Sequence, residues 1–390
     1  MLRTLAIFNY RSIRDLTVEL GQLNVVTGPN GSGKSSLYRA LRLLAGTAGG
    51  DLVRSLAREG GLQSTFWAGP EKIGAAVRAG RHAVTPLVRN DVMQLRLGFN
   101  AEDFGYAVDL GYPNRDPKAG SAFLLDPEIK HESIWSGDVL RPSSLLIDRR
   151  GPSLRAVNDA GNWDTIPGAL SAFESMMTEF ADPRSAPEMI TVREKIRSWR
   201  FYDHFRTDVQ APCRQPQLGT YTPVIGDDGA ELAAALQTIR EIGDADGLDA
   251  AIDDAFPGSI VDIHVSEGWF EVAMRQQGLL RPLKAAELSD GTIRYLILVA
   301  ALLTPRPPGL MVLNEPETSL HPDLIPALAR LILASAKQSQ VIVVSHSNLL
   351  RTALEAEGDA RFIELRKEFG ETKIAGHGLL DRPRWEWPKR

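Results

Sequence analysis

The residues Gly28, Pro29, Asn30, Gly31, Ser32, Gly33, Lys34 and Ser35, followed by Ser36, satisfy the spacing G-x-x-x-x-G-K-[ST]. Glycines at that spacing let the backbone curl so that successive N–H groups point at phosphate oxygens, and a helix starting there adds its positive end. Lys34 is expected to reach the β- and γ-phosphates of a bound nucleotide, and the Ser35 hydroxyl to coordinate Mg²⁺. Further along, LSDGT at 288–292 reads as the N-cap of a helix, with Ser289 or Asp290 capping. REKIRSWRFYDHFR at 193–206 interleaves Arg193, Lys195, Arg197, Arg200 and Arg206 with Trp199, Phe201 and Tyr202, a mixture that can serve phosphates and packing together. As an amphipathic helix it would simply solvate its charges.

Strands and helices must hold these groups in place. Leu23 to Thr27 reads as a short strand, and Ser35 to Ala45 places Leu37, Leu41 and Leu44 at helical spacing before Gly46 to Gly50 ends the helix. From about 75 to 165, alternating runs such as QLRLGF, FGYAVDL and SSLLIDRR predict antiparallel hairpins. Residues 167–207 and 228–255 read helically, joined by the Pro-rich APCRQPQLGTYTP. After a hairpin in SIVDIHVSEGWFEVAMRQQ comes RYLILVAALL as helix, then GLMVLNE, LIPALARLILASA and QVIVVSH as a parallel βαβ unit. Four segments follow: 1–75, one half of a nucleotide-binding domain; 76–166, a β-rich layer; 167–257, a helical insertion; and 258–390, the other half.

With 390 residues, 43% of them hydrophobic, a sizeable core is available. A net charge of -5 excludes the overall electrostatics of a protein that coats nucleic acid, so any such contact would be local. The single cysteine, Cys213, forms no internal disulfide and fits a reducing compartment. No signal peptide and no apolar run of about 18 residues is legible, so a soluble, cytoplasmic chain with no membrane association is expected.

AELSDGTIRYLILVAALL resembles the signature segment of ABC-type ATPases, LMVLNEPETSLHP their Walker B and D-loop, and VIVVSHS their histidine switch. The opening FNYRSIRDLTVELGQLNVVTGPNGSGKSSL is similar to the start of the SMC, RecF and OLD-like branch. The resemblance implies an α/β fold: a P-loop ABC-type ATPase head with an antiparallel β layer and an inserted helical subdomain. It also implies ATP and Mg²⁺ as cofactors, held between two protomers of a homodimer. Residues 30–36 of one chain would hold the phosphates while Ser289 and Gly291 of the other close over them. Glu315 would position or deprotonate the attacking water, and His346 would contact the γ-phosphate. Ser319 and His321 would lie in the D-loop, although Pro322 also suits a plain helix start. Gln63 and Gln94 compete for the glutamine that touches Mg²⁺, and Tyr10 and Arg11 would flank the adenine.

At the position of Asn314 the family pattern has an aspartate that binds Mg²⁺ through its waters. An amide brings no charge, so the expected loss is about 1 kcal/mol, or roughly tenfold in metal support, with Glu317 as a neighbouring carboxylate in reserve. ATP binding with slow hydrolysis is therefore expected. Two functions fit: a DNA transaction, in repair or in defence against foreign DNA, with double-stranded DNA as partner, or an ATP-driven switch for a separate effector such as a nuclease or toxin. The tail LLDRPRWEWPKR offers Trp385 and Trp387 as anchors for a partner or for docking on the chain itself.

Overall fold

The computed structural model describes residues 1–69, 93–113, 122–123, 125–180, 182–378 and 381–389. The expected boundary at 75/76 and most of the turn at 111–120 lie outside the described residues. The chain divides into two compact units: Met1–Leu20, Pro29–Arg197 and Glu364–Arg390 form one, and Gly21–Gly28 and Ser198–Ile363 the other.

The strands at the start are β1 (Leu2–Tyr10), β2 (Ile13–Glu19) and β3 (Leu23–Thr27). Next come β4 (Gln94–Ala101), β5 (Phe104–Gly111), β6 (Glu128–Ser136), β7 (Leu145–Arg150), β8 (Ser153–Val157) and β9 (Trp163–Ile166). In the first unit these pair antiparallel in the order β2-β1-β4-β5-β6-β7-β8-β9. The expected hairpins are present because alternating apolar residues such as Leu95, Leu97 and Phe99 share a buried face. Helix Lys34–Gly49 buries Leu37, Leu41 and Leu44 and stops where Gly50 returns its N–H to the Gly46 carbonyl. Each such leucine contributes about 1.5–3 kcal/mol on burial.

GALSAFESMMTEF is a helix only over Met176–Glu179, not along its length. Other groups claim the preceding backbone. Ile129 donates its N–H to the Ala172 carbonyl, and the buried Arg149 guanidinium donates to the carbonyls of Ser171 and Glu174. Arg149 also meets Glu132 at 2.8 Å with both side chains fully buried. Glu132 further accepts from Tyr106 Oη, Ser175 Oγ and Met176 N at 2.6–2.8 Å, so every lone-pair direction of this buried charge is used. In the tail, Trp385 packs edge-on against Trp135 at 5.7 Å and against Trp387 at 5.1 Å.

The second unit adds β10 (Arg200–Tyr202), β11 (Gln217–Leu218), β12 (Ile260–Ser266), β13 (Trp269–Arg275), β14 (Leu283–Lys284), β15 (Leu310–Asn314) and β16 (Gln340–Val344). β10, β15, β16 and β3 lie side by side, all parallel. The crossover helix Ile325–Ser335 joins β15 to β16, as the sequence pattern predicts. Helix Asp290–Leu302 is buried from Ile293 to Leu302 and is central to the core of this unit. SWRFYDHFR, residues 198–206, does not continue the helix Pro187–Arg197. It turns into β10, whose Phe201 and Tyr202 are buried against the sheet, because β15 offers a free edge to extended, aromatic-rich backbone. Among the described residues no helix is long and apolar enough to cross a membrane.

Glu132→Ala is expected to destabilise the chain by about 3–5 kcal/mol, the usual result of leaving a buried arginine uncompensated. Denaturant unfolding followed by circular dichroism checks this, and a loss below about 1 kcal/mol would contradict the role given to the network.

Candidate functional site

In the second unit, register sets the geometry. Val26 pairs with Val344, Val344 with Asn314, and Leu313 with Tyr202, so the carboxyl ends of four parallel strands reach one edge. Ligands of open α/β sheets bind outside such an edge. Thr27, Ser345, Glu315 and Asp203 are the residues that follow or finish those strands. From Thr27 the chain runs directly into the glycine-rich loop.

In the first unit the loop leads into helix Lys34–Gly49, capped at its N-terminus by Gly33 at φ 109 with no side-chain hydrogen bond. A Cβ on Gly33 would sit 2.1 Å from Thr372 Oγ1, so only glycine fits. Thr372, in β18 (Glu371–Ile374), which follows β17 (Arg361–Glu368), donates to the Ser32 carbonyl at 2.9 Å and meets Ser12 Oγ at 2.8 Å. The loop is thus braced from 340 residues away in sequence, a contact no local pattern announces. Lys34 is buried, with Nζ 3.2 Å from the Pro29 carbonyl. Ser32 Oγ is buried without a partner. Asn30, Gly31 and Ser35 are exposed, and Ser36 is buried with its hydroxyl 3.4 Å from Ser12 Oγ. A polyphosphate fits these residues: the positive helix end is uncapped, its first turn has no acid, and a buried hydroxyl awaits an acceptor or donor.

At the strand edge, Glu315 has φ 49, a left-handed backbone unusual for a non-glycine residue. Its N–H donates to the Val344 carbonyl at 2.7 Å, and its own carbonyl accepts from Arg294 Nη2 at 3.1 Å. The Glu315 carboxylate is 44% exposed and lies 3.4 Å from His346 Nδ1, so the two residues proposed for water and phosphate meet. Glu317 is buried, and its Oε1 gathers Ser345 Oγ, His346 N and Ser347 N, which fixes the histidine loop. Its Oε2 has no partner.

Asn314 does not stand alone. Its Nδ2 donates to Asp203 Oδ1 at 2.7 Å. The neighbouring carboxylate of position 314 is therefore Asp203, at the end of β10, while Glu317 is committed to the histidine loop. Sequence reasoning missed Asp203 because its stretch read as helix. Burial lowers the pKa of Arg294 below the usual guanidinium value, and the carboxylates of Glu317, Asp203 and Glu315 oppose that shift. Among the described residues no group of three or more His, Cys, Asp or Glu side chains is arranged to hold a metal ion unaided. A hard cation here would need nucleotide phosphates among its ligands.

Ser289 caps helix Asp290–Leu302, accepting from Thr292 N at 3.1 Å, while Asp290 pairs with Arg214 at 2.5 Å. Gly291 packs so closely that a Cβ would lie 2.8 Å from the Ser319 carbonyl oxygen. The start of helix Asp290–Leu302 and the turn at Ser319 are therefore closely packed within one chain. His321 accepts from Asp323 N, and Pro322 opens a 3₁₀ turn, the plain helix start the sequence allowed.

Other expectations change. Tyr10 is fully buried, its hydroxyl donates to Glu59 at 2.7 Å, and Arg11 binds the same carboxylate at 2.8 Å, so the pair builds a structural corner rather than an exposed base platform. Gln94 accepts from Arg96 at 2.8 Å, whereas Gln63 is exposed in the short helix Gly61–Thr65. Trp199, Phe201 and Tyr202 are buried, and Arg193, Lys195, Arg197 and Arg206 each meet a carboxylate. That stretch offers no stacked-base platform.

A glycine-rich loop running from a parallel strand into a helix is the phosphate-binding arrangement of P-loop proteins. The chain belongs to the family described as "AAA domain, putative AbiEii toxin, Type IV TA system", whose model matches residues 23–352. It is 41% identical over 46 residues to an OLD nuclease of Thermus scotoductus, a match spanning 12% of this chain and 9% of that protein. An SMC head solved with the C-winged helix domain of ScpA shares the fold at a TM-score of 0.51 and 12% identity, over 97% of this chain and 98% of that one. An Smc head with an extended coiled coil, bound to the C-terminal domain of ScpA derived from Pyrococcus furiosus, gives a TM-score of 0.49 at 11% identity, over 96% and 95%.

Lys34→Ala is expected to weaken binding of a fluorescent ATP analogue by about a hundredfold, the upper end for a hydrogen bond to a charged group. Equal binding by both proteins in a fluorescence titration would remove the loop from the site.

Proposed function

We propose that this protein binds ATP with Mg²⁺, hydrolyses it slowly, and couples that cycle to a DNA transaction through an ATP-dependent homodimer. One observation carries the nucleotide reading: the first turn of helix Lys34–Gly49 holds a buried lysine, no acid and no side-chain cap. An uncapped helix N-terminus with no acid in its first turn favours an anion such as a phosphate.

Asn30 to Ser36 would hold the phosphates, with Lys34 offsetting their charge and the Ser35 hydroxyl turned to the metal. When bound, Mg²⁺ would supply charge neutralisation on the phosphates. Glu315 would orient a water and accept its proton, and His346, 3.4 Å away, would keep that carboxylate in place. Ser289 and Gly291 would face a nucleotide held by a second copy, with the Ser289 cap presenting the helix start. A family described by a putative toxin, and partial similarity to an OLD nuclease, support a role in defence or repair. The alternative is a switch acting on a separate effector protein. The buried aromatics and carboxylate-paired cations of 193–206 favour this second reading over a preformed DNA groove in that stretch.

Glu315→Gln with ATP should sediment as a dimer, and the wild type without nucleotide as a monomer. Monomer in both would count against the composite site. Mixing Lys34→Ala with Ser289→Arg, both checked for folding because Ser289 is a helix cap worth about 1 kcal/mol, should restore one site. ATPase rate should rise with duplex DNA at about 50 mM salt and lose that gain by about 200 mM through counterion release. A rate indifferent to DNA at both salts transfers the proposal to the effector switch.

A further inference from the structure

The amide at position 314 looks like a lost charge in the sequence, and the structure gives it a partner. Asp203 follows β10 directly, and the Tyr202–Leu313 pairing places it beside Asn314 on the parallel edge. There the Asn314 Nδ2 donates to Asp203 Oδ1 at 2.7 Å. Among the described residues Asp203 makes no ion pair, so its charge is held by an amide rather than neutralised by a cation. The Arg294 guanidinium, which feels the Asp203 charge, is bonded to the Glu315 carbonyl. Two further polar atoms, Glu317 Oε2 and Arg294 Nε, lack hydrogen-bond partners although both residues are more than nine-tenths buried.

We infer that Asp203 carries the acidic function of this edge: it supports the Mg²⁺ of a bound nucleotide, through the metal's waters, from β10 instead of β15. Asn314 is then a positioning residue, whose amide hydrogen holds Asp203 and whose oxygen remains free to accept from a metal-bound water. The site has not lost a carboxylate. It has moved one strand over, and Asn314→Asp would set two carboxylates within hydrogen-bonding distance, where like charges disfavour ionisation of both. This inference rests on the nucleotide reading above.

The test measures the affinity of the full chain for a fluorescent, non-hydrolysable ATP analogue across a Mg²⁺ titration, with Mn²⁺ bound per nucleotide counted by electron paramagnetic resonance. Asp203→Asn should weaken the apparent Mg²⁺ affinity about tenfold, the lower end for losing an outer-sphere partner. Asn314→Asp alone should leave it flat or lower it. The double variant Asp203→Asn/Asn314→Asp, which exchanges the two groups, should return to within about threefold of wild type. That rescue excludes simple misfolding as the cause of the single-variant loss.

An Asp203→Asn protein with unchanged Mg²⁺ and Mn²⁺ affinity overturns the inference, as does a tenfold gain from Asn314→Asp while Asp203 is present. Lys34→Ala separates the two levels. If wild type binds no analogue, or Lys34→Ala binds it equally well, the nucleotide reading itself fails and this inference falls with it. If Lys34→Ala weakens binding about a hundredfold and Asp203→Asn changes nothing, only the role of Asp203 is lost.

Discussion

Parallel pairing in register is the constraint on which the strand-edge chemistry depends. Because Val26, Val344, Asn314 and the residue after Tyr202 come level, four strands deliver their ends to one edge without any loop having to reach across. A one-residue slip of β15 would turn Asn314 to the opposite face and break its bond to Asp203. The apolar strand bodies, buried throughout in β3 and β16, hold that register, so the exposed chemistry is aligned by the core beneath it.

Much of this was legible in the sequence, and the reason is locality. The glycine spacing, the helix with Leu37, Leu41 and Leu44, the strands β3, β15 and β16 and the helix between the latter two are each specified within fewer than about twenty residues, where periodicity and turn chemistry act. Asp203 and Thr372 were not legible. Their partners lie 111 and 340 residues away, and nothing in RFYDHFR or ETKI marks them apart from other polar residues. The segment before Met176 misled for a related reason. Its composition suits a helix, but the carbonyls a helix would need are taken by Arg149 from another strand.

The same contrast separates the two aromatic-rich stretches. Trp199, Phe201 and Tyr202 sit among arginines, and alternation of that kind fits a nucleic-acid surface and a β-strand equally well. Pairing with β15 decides for the strand, and the rings go into the core. In the tail, Trp385 and Trp387 could have faced a partner, but Trp135 offers an aromatic edge at 5.7 Å and the chain folds back on itself.

Glu315 sets backbone strain against the role proposed for its carboxylate. Its left-handed backbone costs about 1–3 kcal/mol for a side chain of its size, held in place by the Val344 carbonyl and the Arg294 guanidinium. Glycine would adopt that conformation without strain, yet would remove the carboxylate beside His346. Glutamine at 315 would carry the same strain without the charge, whereas glycine would lose both, so the two substitutions separate the backbone's cost from the carboxylate's proposed role.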